Sequence, residues 1–370
     1  MVKALLSALA GVIIGMIAGC LPTDPASVPD SIESIRLSMS DEAFSDLGKS
    51  VYLNRWVWTV INSPSGPVKA QIRVHGGISR DFPKKSYQLI PFSSAVPDKR
   101  EGGIILSAQY TDITFARYRL ADHLFRRAGL FCSDITPVAL YINGVYQGLY
   151  LQIEKIDEAF LRRRGLPLSS VYKLRTHGRF THAGGILASY CFDKIVPEDD
   201  QSYADIDRLI ALADRGITEE NSGDLEQVLD IHSALDYYAA CRLTYNWDGT
   251  NNNAHLYFDP AGKRFLFMPW DLDHTFEQIV PIADFERQFL LPDNLFEQLI
   301  AIPKYRDYVI RRMAEIFDYS AEKVLLDSII AETAPLVPFE QAYTGEDDYR
   351  AKVEQISTCL ESVREQLSQP

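Results

Sequence analysis

The stretch NWDGTNNNAHLYFDPAGKRFLFMPWDLDHTF, Asn246 to Phe276, carries most of what distinguishes this chain. It begins where a long helical pattern, Asp224 to Tyr245, runs out at Trp247-Asp248. Three asparagines follow, Asn251 to Asn253, and then an apolar strand from Ala254 to Phe258. Asp259-Pro260-Ala261-Gly262 reads as a turn, and Arg264 to Trp270 as the returning strand. Folding that hairpin about its turn pairs Phe258 with Lys263 and sets Asn253 near Met268. Its open end then gathers Asp248, Asn253 and Asp271, with Asp273 in the same loop. Carboxylate and amide oxygens are hard donors that suit magnesium alongside phosphate oxygens. A further aspartate beside them accepts a hydroxyl proton or orients the nucleophile in phosphoryl transfer. Any one Asp or Asn serves a loop just as well by bonding its backbone. The set, in this order, is what points to chemistry.

Working outward, residues 35–160 carry mostly strand signals. The alternating run Val51 to Ile61, a Ser-Pro-Ser-Gly-Pro turn and Val68 to Val74 predict one hairpin. Lys84 to Ile90 is another strand, and Val138 to Ile153 is a hairpin about Asn143-Gly144, a dipeptide that favours a tight turn. Phe115 to Leu130 has helical spacing and ends near Gly129. Beyond about residue 203 helices dominate, at 203–214, 224–245, 293–301, 304–318, 320–333 and 347–367. A strand-rich front half followed by a helix-rich back half predicts an α+β fold in two lobes, the first over about 34–175 and the second over about 200–370.

Composition sets the outer limits. With 370 residues, 46% hydrophobic and 24% charged, the chain has ample material for a core and is neither disordered nor disulfide-stapled. A formal net charge of -13 and the lack of a basic run argue against nucleic acid as a partner. No GxGxxG loop, P-loop, HExxH or GxSxG motif is present, which disfavours a P-loop NTPase, zinc chemistry and a serine hydrolase.

The Asn246–Phe276 segment resembles the signature of the CotH-type spore-coat kinase family, a "D…NN" loop followed by "WDxD". Two further stretches resemble the same family, Arg73-Val-His-Gly-Gly-Ile-Ser-Arg80 with Pro83-Lys84-Lys85-Ser86-Tyr87, and Leu140-Tyr-Ile-Asn-Gly-Val-Tyr-Gln-Gly-Leu-Tyr150 continuing to Glu154 and Asp157. The resemblance implies an atypical protein-kinase-like, bilobal fold. It also implies ATP and Mg²⁺ or Mn²⁺ as cofactors and a Ser or Thr hydroxyl of a surface or secreted protein as acceptor. In that family protein-kinase logic applies: Asp and Asn five positions apart, a hairpin, then a metal-binding Asp. Carried over, the resemblance makes Asp248 the catalytic-loop aspartate and Asn253, Asp271 and Asp273 the metal ligands. Lys85 or Lys84 is the lysine that steadies the nucleotide, with Arg73 adding positive charge and Glu154 pairing the lysine. Lys85 is preferred because alternation with Tyr87 and Leu89 points it inward. The competing reading is a non-catalytic surface binding or adhesion protein on the same fold, which would not need Asp248 and Asp271 as carboxylates.

The N-terminus adds a location. One positive charge, Lys3, precedes an apolar stretch that closes on Ile17-Ala18-Gly19-Cys20, the form of a signal peptide over residues 1–19. Those closing residues resemble a bacterial lipoprotein cleavage box, which makes Cys20 the lipidated residue. Residues 20–33, rich in Pro, Ser and Asp, then form a tether. The expected protein is extracytoplasmic, lipid-anchored to a bacterial membrane, and acts on proteins of the same surface. Cys132, Cys191, Cys241 and Cys359 match no zinc or redox spacing, and Cys241 reads as core.

Overall fold

A computed structural model describes residues 25, 27–49, 51–92, 102–175, 180, 188–197, 200, 202–279, 285 and 295–369. The expected signal peptide over residues 1–19 and the expected lipidation site Cys20 lie outside the described residues.

Eleven strands are described: β1 Glu33–Ser38, β2 Val57–Ser63, β3 Gly66–His75, β4 Ser86–Pro91, β5 Ile104–Ser107, β6 Ile135–Ile142, β7 Val145–Glu154, β8 Val171–Leu174, β9 Phe192–Val196, β10 Ala254–Asp259 and β11 Arg264–Pro269. The longer helices are α1 Asp41–Lys49, α2 Arg117–Arg127, α3 Ala204–Asp214, α4 Ile231–Leu243, α5 Pro303–Ile316, α6 Tyr319–Thr333 and α7 Glu346–Leu367. The fold is mixed α and β.

The first seven strands close into a barrel in the order β1-β2-β3-β4-β5-β7-β6. Closure comes from β1 and β6, which pair in parallel, while the other ladders are antiparallel. Along β3, Ala70, Ile72 and Val74 are buried while Gln71 and Arg73 alternate away from them. The barrel is filled by these residues with Leu37, Leu89, Leu106, Val138, Leu140, Ile142 and Tyr150. Asn143 (φ 51) and Gly144 (φ 82) make the predicted tight turn between β6 and β7.

The remaining strands form a second sheet, β11-β10-β8-β9, packed with the helices into a separate, larger core. Residues 171–174, grouped by sequence with the front half, pair here with β10, so the barrel half ends near residue 154. The predicted helix over 224–245 is interrupted. The backbone at 228–230 is consumed by a bridge to Phe265 (Asp230 N to Phe265 O 2.9 Å, Phe265 N to Val228 O 2.8 Å). Asp230 then caps α4 by accepting from Ser233 N at 2.9 Å. Part of the expected tether is also docked. Val28 packs on the core and Ile32 is buried in it, because both are apolar and the turn Pro29–Ile32 (2.9 Å) folds them inward.

Cys132, Cys191, Cys241 and Cys359 are buried free thiols. Among the described residues no helix is long and apolar enough to cross a membrane.

Candidate active site

The loop joining α4 to β10 is built by its own Asn and Asp residues. The Asp248 carbonyl accepts three amides, from Asn251 (3.2 Å), Asn252 (2.8 Å) and Asn253 (3.2 Å). Asn246 Oδ1 accepts from Gly249 N at 2.9 Å, and Tyr237 donates its hydroxyl to Gly249 O at 2.9 Å. With the backbone satisfied this way, the Asp248 carboxylate is free to accept from Asn253 Nδ2 at 2.6 Å. The hairpin register differs from the expected one by two residues, with Phe258 opposite Phe265 and Ala254 opposite Pro269. The cause is the turn: Asp259 accepts from Ala261 N and Gly262 N, and Lys263 takes φ 54, which places four residues beyond the last pair. Asn253 consequently faces the Trp270 end of β11, close to Asp271.

Asp271 sits at φ 58, a left-handed turn that Asp tolerates better than most side chains. It lies with Asp248, Asn252, Asn253 and Asp273 along one wall of a cleft of about 470 Å³. The opposite wall comes from the barrel: His75, the Gly76-Gly77 turn, Lys84, Ser86 and the segment from Ser107 to Thr111. Gly76 has φ +110, and a Cβ there would collide with Ser79 Oγ, so the turn keeps its backbone open to the cleft. Burial raises the Asp248 carboxyl above its usual range, and the neighbouring Asp271 adds to it. Burial, with Asp271 next, pushes Asp273 up to about 7. His274, bonded to Glu277 at 3.1 Å, is raised to about 9 by that bond and by Asp273.

The lysine arrangement departs from expectation. Lys84, not Lys85, points into the cleft, because β4 begins at Ser86 and the alternation used to orient Lys85 does not extend back to it. Lys85 Nζ turns away to the carbonyls of Arg80 (2.7 Å) and Phe82 (2.5 Å). Lys84 is buried and donates to Ala108 O (3.0 Å), Leu149 O and Glu340 Oε2 (2.6 Å). Its acidic partner is therefore Glu340, from the turn after the short helix Val337–Phe339, and not Glu154. Glu154 is engaged elsewhere, by Arg163 (2.6 Å) and Arg164 (2.7 Å). Glu340 Oε1 also accepts from Leu149 N at 2.6 Å, which ties the C-terminal part of the chain to β7. Gly148 makes room for the pair: at φ +119, a Cβ would lie 2.8 Å from Lys84 Cε and 3.1 Å from both Glu340 carboxylate oxygens. Arg73, on the outer face of β3, bonds Gln88 Oε1 (2.7 Å) and stacks over Trp56 (4.6 Å), away from the cleft.

Among the described residues no group of three or more His, Cys, Asp or Glu side chains forms a ready-made metal site. The donor set is mixed: Asp271, Asp273 and, since its Nδ2 is given to Asp248, the Oδ1 of Asn253. Asp273 Oδ1 is buried without a hydrogen-bond partner. Such a set fits a hard divalent cation that takes its remaining ligands from phosphate and water.

Comparison with known proteins places the chain in a family. Residues 72–366 match the CotH kinase protein family, and the chain belongs to that family. It is similar to inner spore coat protein H of Bacillus subtilis (strain 168), 25% identical over 238 residues. That alignment covers 62% of this chain and 65%, just under two thirds, of the relative. Among solved structures, the Helicobacter pylori proinflammatory kinase CtkA aligns with TM-score 0.36 and 13% identity over 75% of this chain and 95% of that one, a likeness too distant to argue from.

Neither Glu340 nor Lys173, which also lines the cleft, was found from sequence. Glu340 lies 256 residues from the lysine it holds, and no local pattern marks it. Gly148 was inside a family-like stretch but carried no separate signal.

Proposed function

We propose that this chain is an ATP-dependent protein kinase, bilobal in the kinase manner, that phosphorylates Ser or Thr hydroxyls of proteins at a bacterial surface. The observation that carries this reading is the single cleft in which a glycine turn and a buried, paired lysine face Asp248, Asn253, Asp271 and Asp273. Asn253, Asp271 and Asp273 would hold Mg²⁺ or Mn²⁺, which when bound neutralises charge on the phosphates.

Asp248 is the base. Asn253 fixes its carboxylate by the 2.6 Å bond, and its raised affinity for protons suits it to receive the acceptor's hydroxyl proton. A bond then forms from the acceptor oxygen to the γ-phosphorus, the bond to the ADP oxygen breaks, and the proton resides on Asp248. Lipidation at Cys20 after removal of residues 1–19 would hold the domain at a membrane, where its acceptors are neighbours. Each buried methylene of such an anchor contributes roughly 0.8 kcal/mol.

The test is label transfer from γ-labelled ATP with Mg²⁺ or Mn²⁺ to surface proteins of the same cell, comparing the purified chain with Asp248→Ala and Asp271→Asn. Transfer that falls by about a thousandfold or more in Asp248→Ala, a loss near 4 kcal/mol of barrier, supports the reading. No transfer by the wild-type chain, together with no metal-dependent rise in melting temperature on adding ATP, would favour the binding-protein alternative.

A further inference from the structure

The cleft contains two lysines, and only one of them has hydrogen bonds to give. An ammonium carries three protons. All three of Lys84's are spent on Ala108 O, Leu149 O and Glu340. The histidines offer no substitute. Burial, followed by the nearby Lys173, lowers His75 to about 3, which leaves it neutral, and His274 is bonded to Glu277.

Lys173 differs. It lies on β8, opposite His255 of β10 and Asp193 of β9 in the ladder. Asp193 is taken by Arg175 at 2.7 Å. Among the described residues Lys173 makes neither a hydrogen bond nor an ion pair, although it is partly buried in the cleft wall. Its charge acts on both sides of the cleft, since it stabilises the Asp248 carboxylate on one and opposes protonation of His75, beside the glycine turn, on the other. A partly buried amine with no partner, placed between a glycine turn and the proposed base, is suited to an anionic ligand group.

We propose that Lys173 is the residue that contacts the phosphates of the bound nucleotide, and that Lys84 serves to hold the barrel to the C-terminal segment. This rests on the nucleotide-dependent reading of the cleft given above. It assigns the phosphate contact to the second sheet, on the same wall as Asp248, so the donor's phosphates bridge the two halves of the molecule.

The test is titration calorimetry of the purified chain and its Lys173→Ala and Lys173→Arg variants with Mg·ATP, Mg·tripolyphosphate and adenosine. Loss of a charge-assisted hydrogen bond predicts that Lys173→Ala binds ATP and tripolyphosphate roughly tenfold to a hundredfold more weakly. Adenosine binding and melting temperature should stay as in wild type, and Lys173→Arg should recover most of the affinity. Binding of ATP by Lys173→Ala within about twofold of wild type would overturn the assignment and leave the kinase reading standing. Equal loss of adenosine binding would overturn it in favour of a structural role. A wild-type chain that binds neither ATP nor tripolyphosphate would overturn the nucleotide reading, and this assignment with it.

Discussion

At the barrel end of the cleft, the Lys84 ammonium has an acceptor for each of its protons, and its carboxylate partner Glu340 holds a backbone amide as well. At the hairpin end, Asp273 Oδ1 is buried with no donor, and it and Asp248 are both pushed toward the protonated form by burial and by Asp271. Buried charge is tolerated when it is paired and costs stability when it is not. The first region is complete without a ligand. The second keeps a buried acid group with an oxygen that has no donor, a charge that a bound cation would offset.

That contrast breaks most visibly at Glu340. Glu340→Ala leaves the Lys84 ammonium buried without its countercharge and should lower stability by about 3–5 kcal/mol in urea unfolding. The double variant Lys84→Met/Glu340→Gln should lose less than Glu340→Ala, because the lone charge is gone. A loss below about 1 kcal/mol for Glu340→Ala would mean that the pair does not tie the chain together.

At the other end the sign reverses. Asp273 is raised from 3.8 to about 7, so between those values the folded protein keeps a proton that the unfolded chain has released. Its contribution is therefore to lower stability as pH climbs through that window. Asp273→Asn removes the effect and should stabilise the metal-free protein at pH 8 by about 1–3 kcal/mol, with little change at pH 3, where both states are protonated. The same variant should reduce the melting-temperature rise produced by Mg²⁺. A destabilised Asp273→Asn at pH 8 would show that the hairpin end is as well satisfied as the barrel end.

A third expected effect, no larger than that at Asp273, sharpens the packing side of the comparison. Gly148→Ala puts a methyl 2.8 Å from Lys84 Cε and requires a φ of +119 that alanine resists. A loss of about 1–3 kcal/mol is expected, and it should shrink in a Lys84→Met background if crowding against the lysine is its main source.

The hairpin and the helices were readable because their signals are local. Asn143-Gly144 specifies its turn, and helical spacing placed α5, α6 and α7 to within a residue or two. The acidic set was readable for the same reason, since Asp248 to Asp273 lie on one loop, one hairpin and the next loop. Where the reading failed, the deciding feature lay outside the motif that was read. Nothing near Lys84 indicates that strand β4 starts after it, and nothing near Glu154 indicates that Arg163 and Arg164, at the end of the following short helix, take its charge.

By itself, then, the sequence determined the family, the element types, and the acidic residues that cluster at the hairpin's end, because each depends on neighbours within one supersecondary unit. Only the tertiary structure decided that the first seven strands close into a barrel, that Lys84 rather than Lys85 enters the cleft, that Glu340 holds it, and that Lys173 stands unpaired across from it. Those outcomes depend on which surfaces meet after the chain has closed long loops. That choice is made by packing and by burial of charge, and it leaves no periodic trace in the residues that carry it.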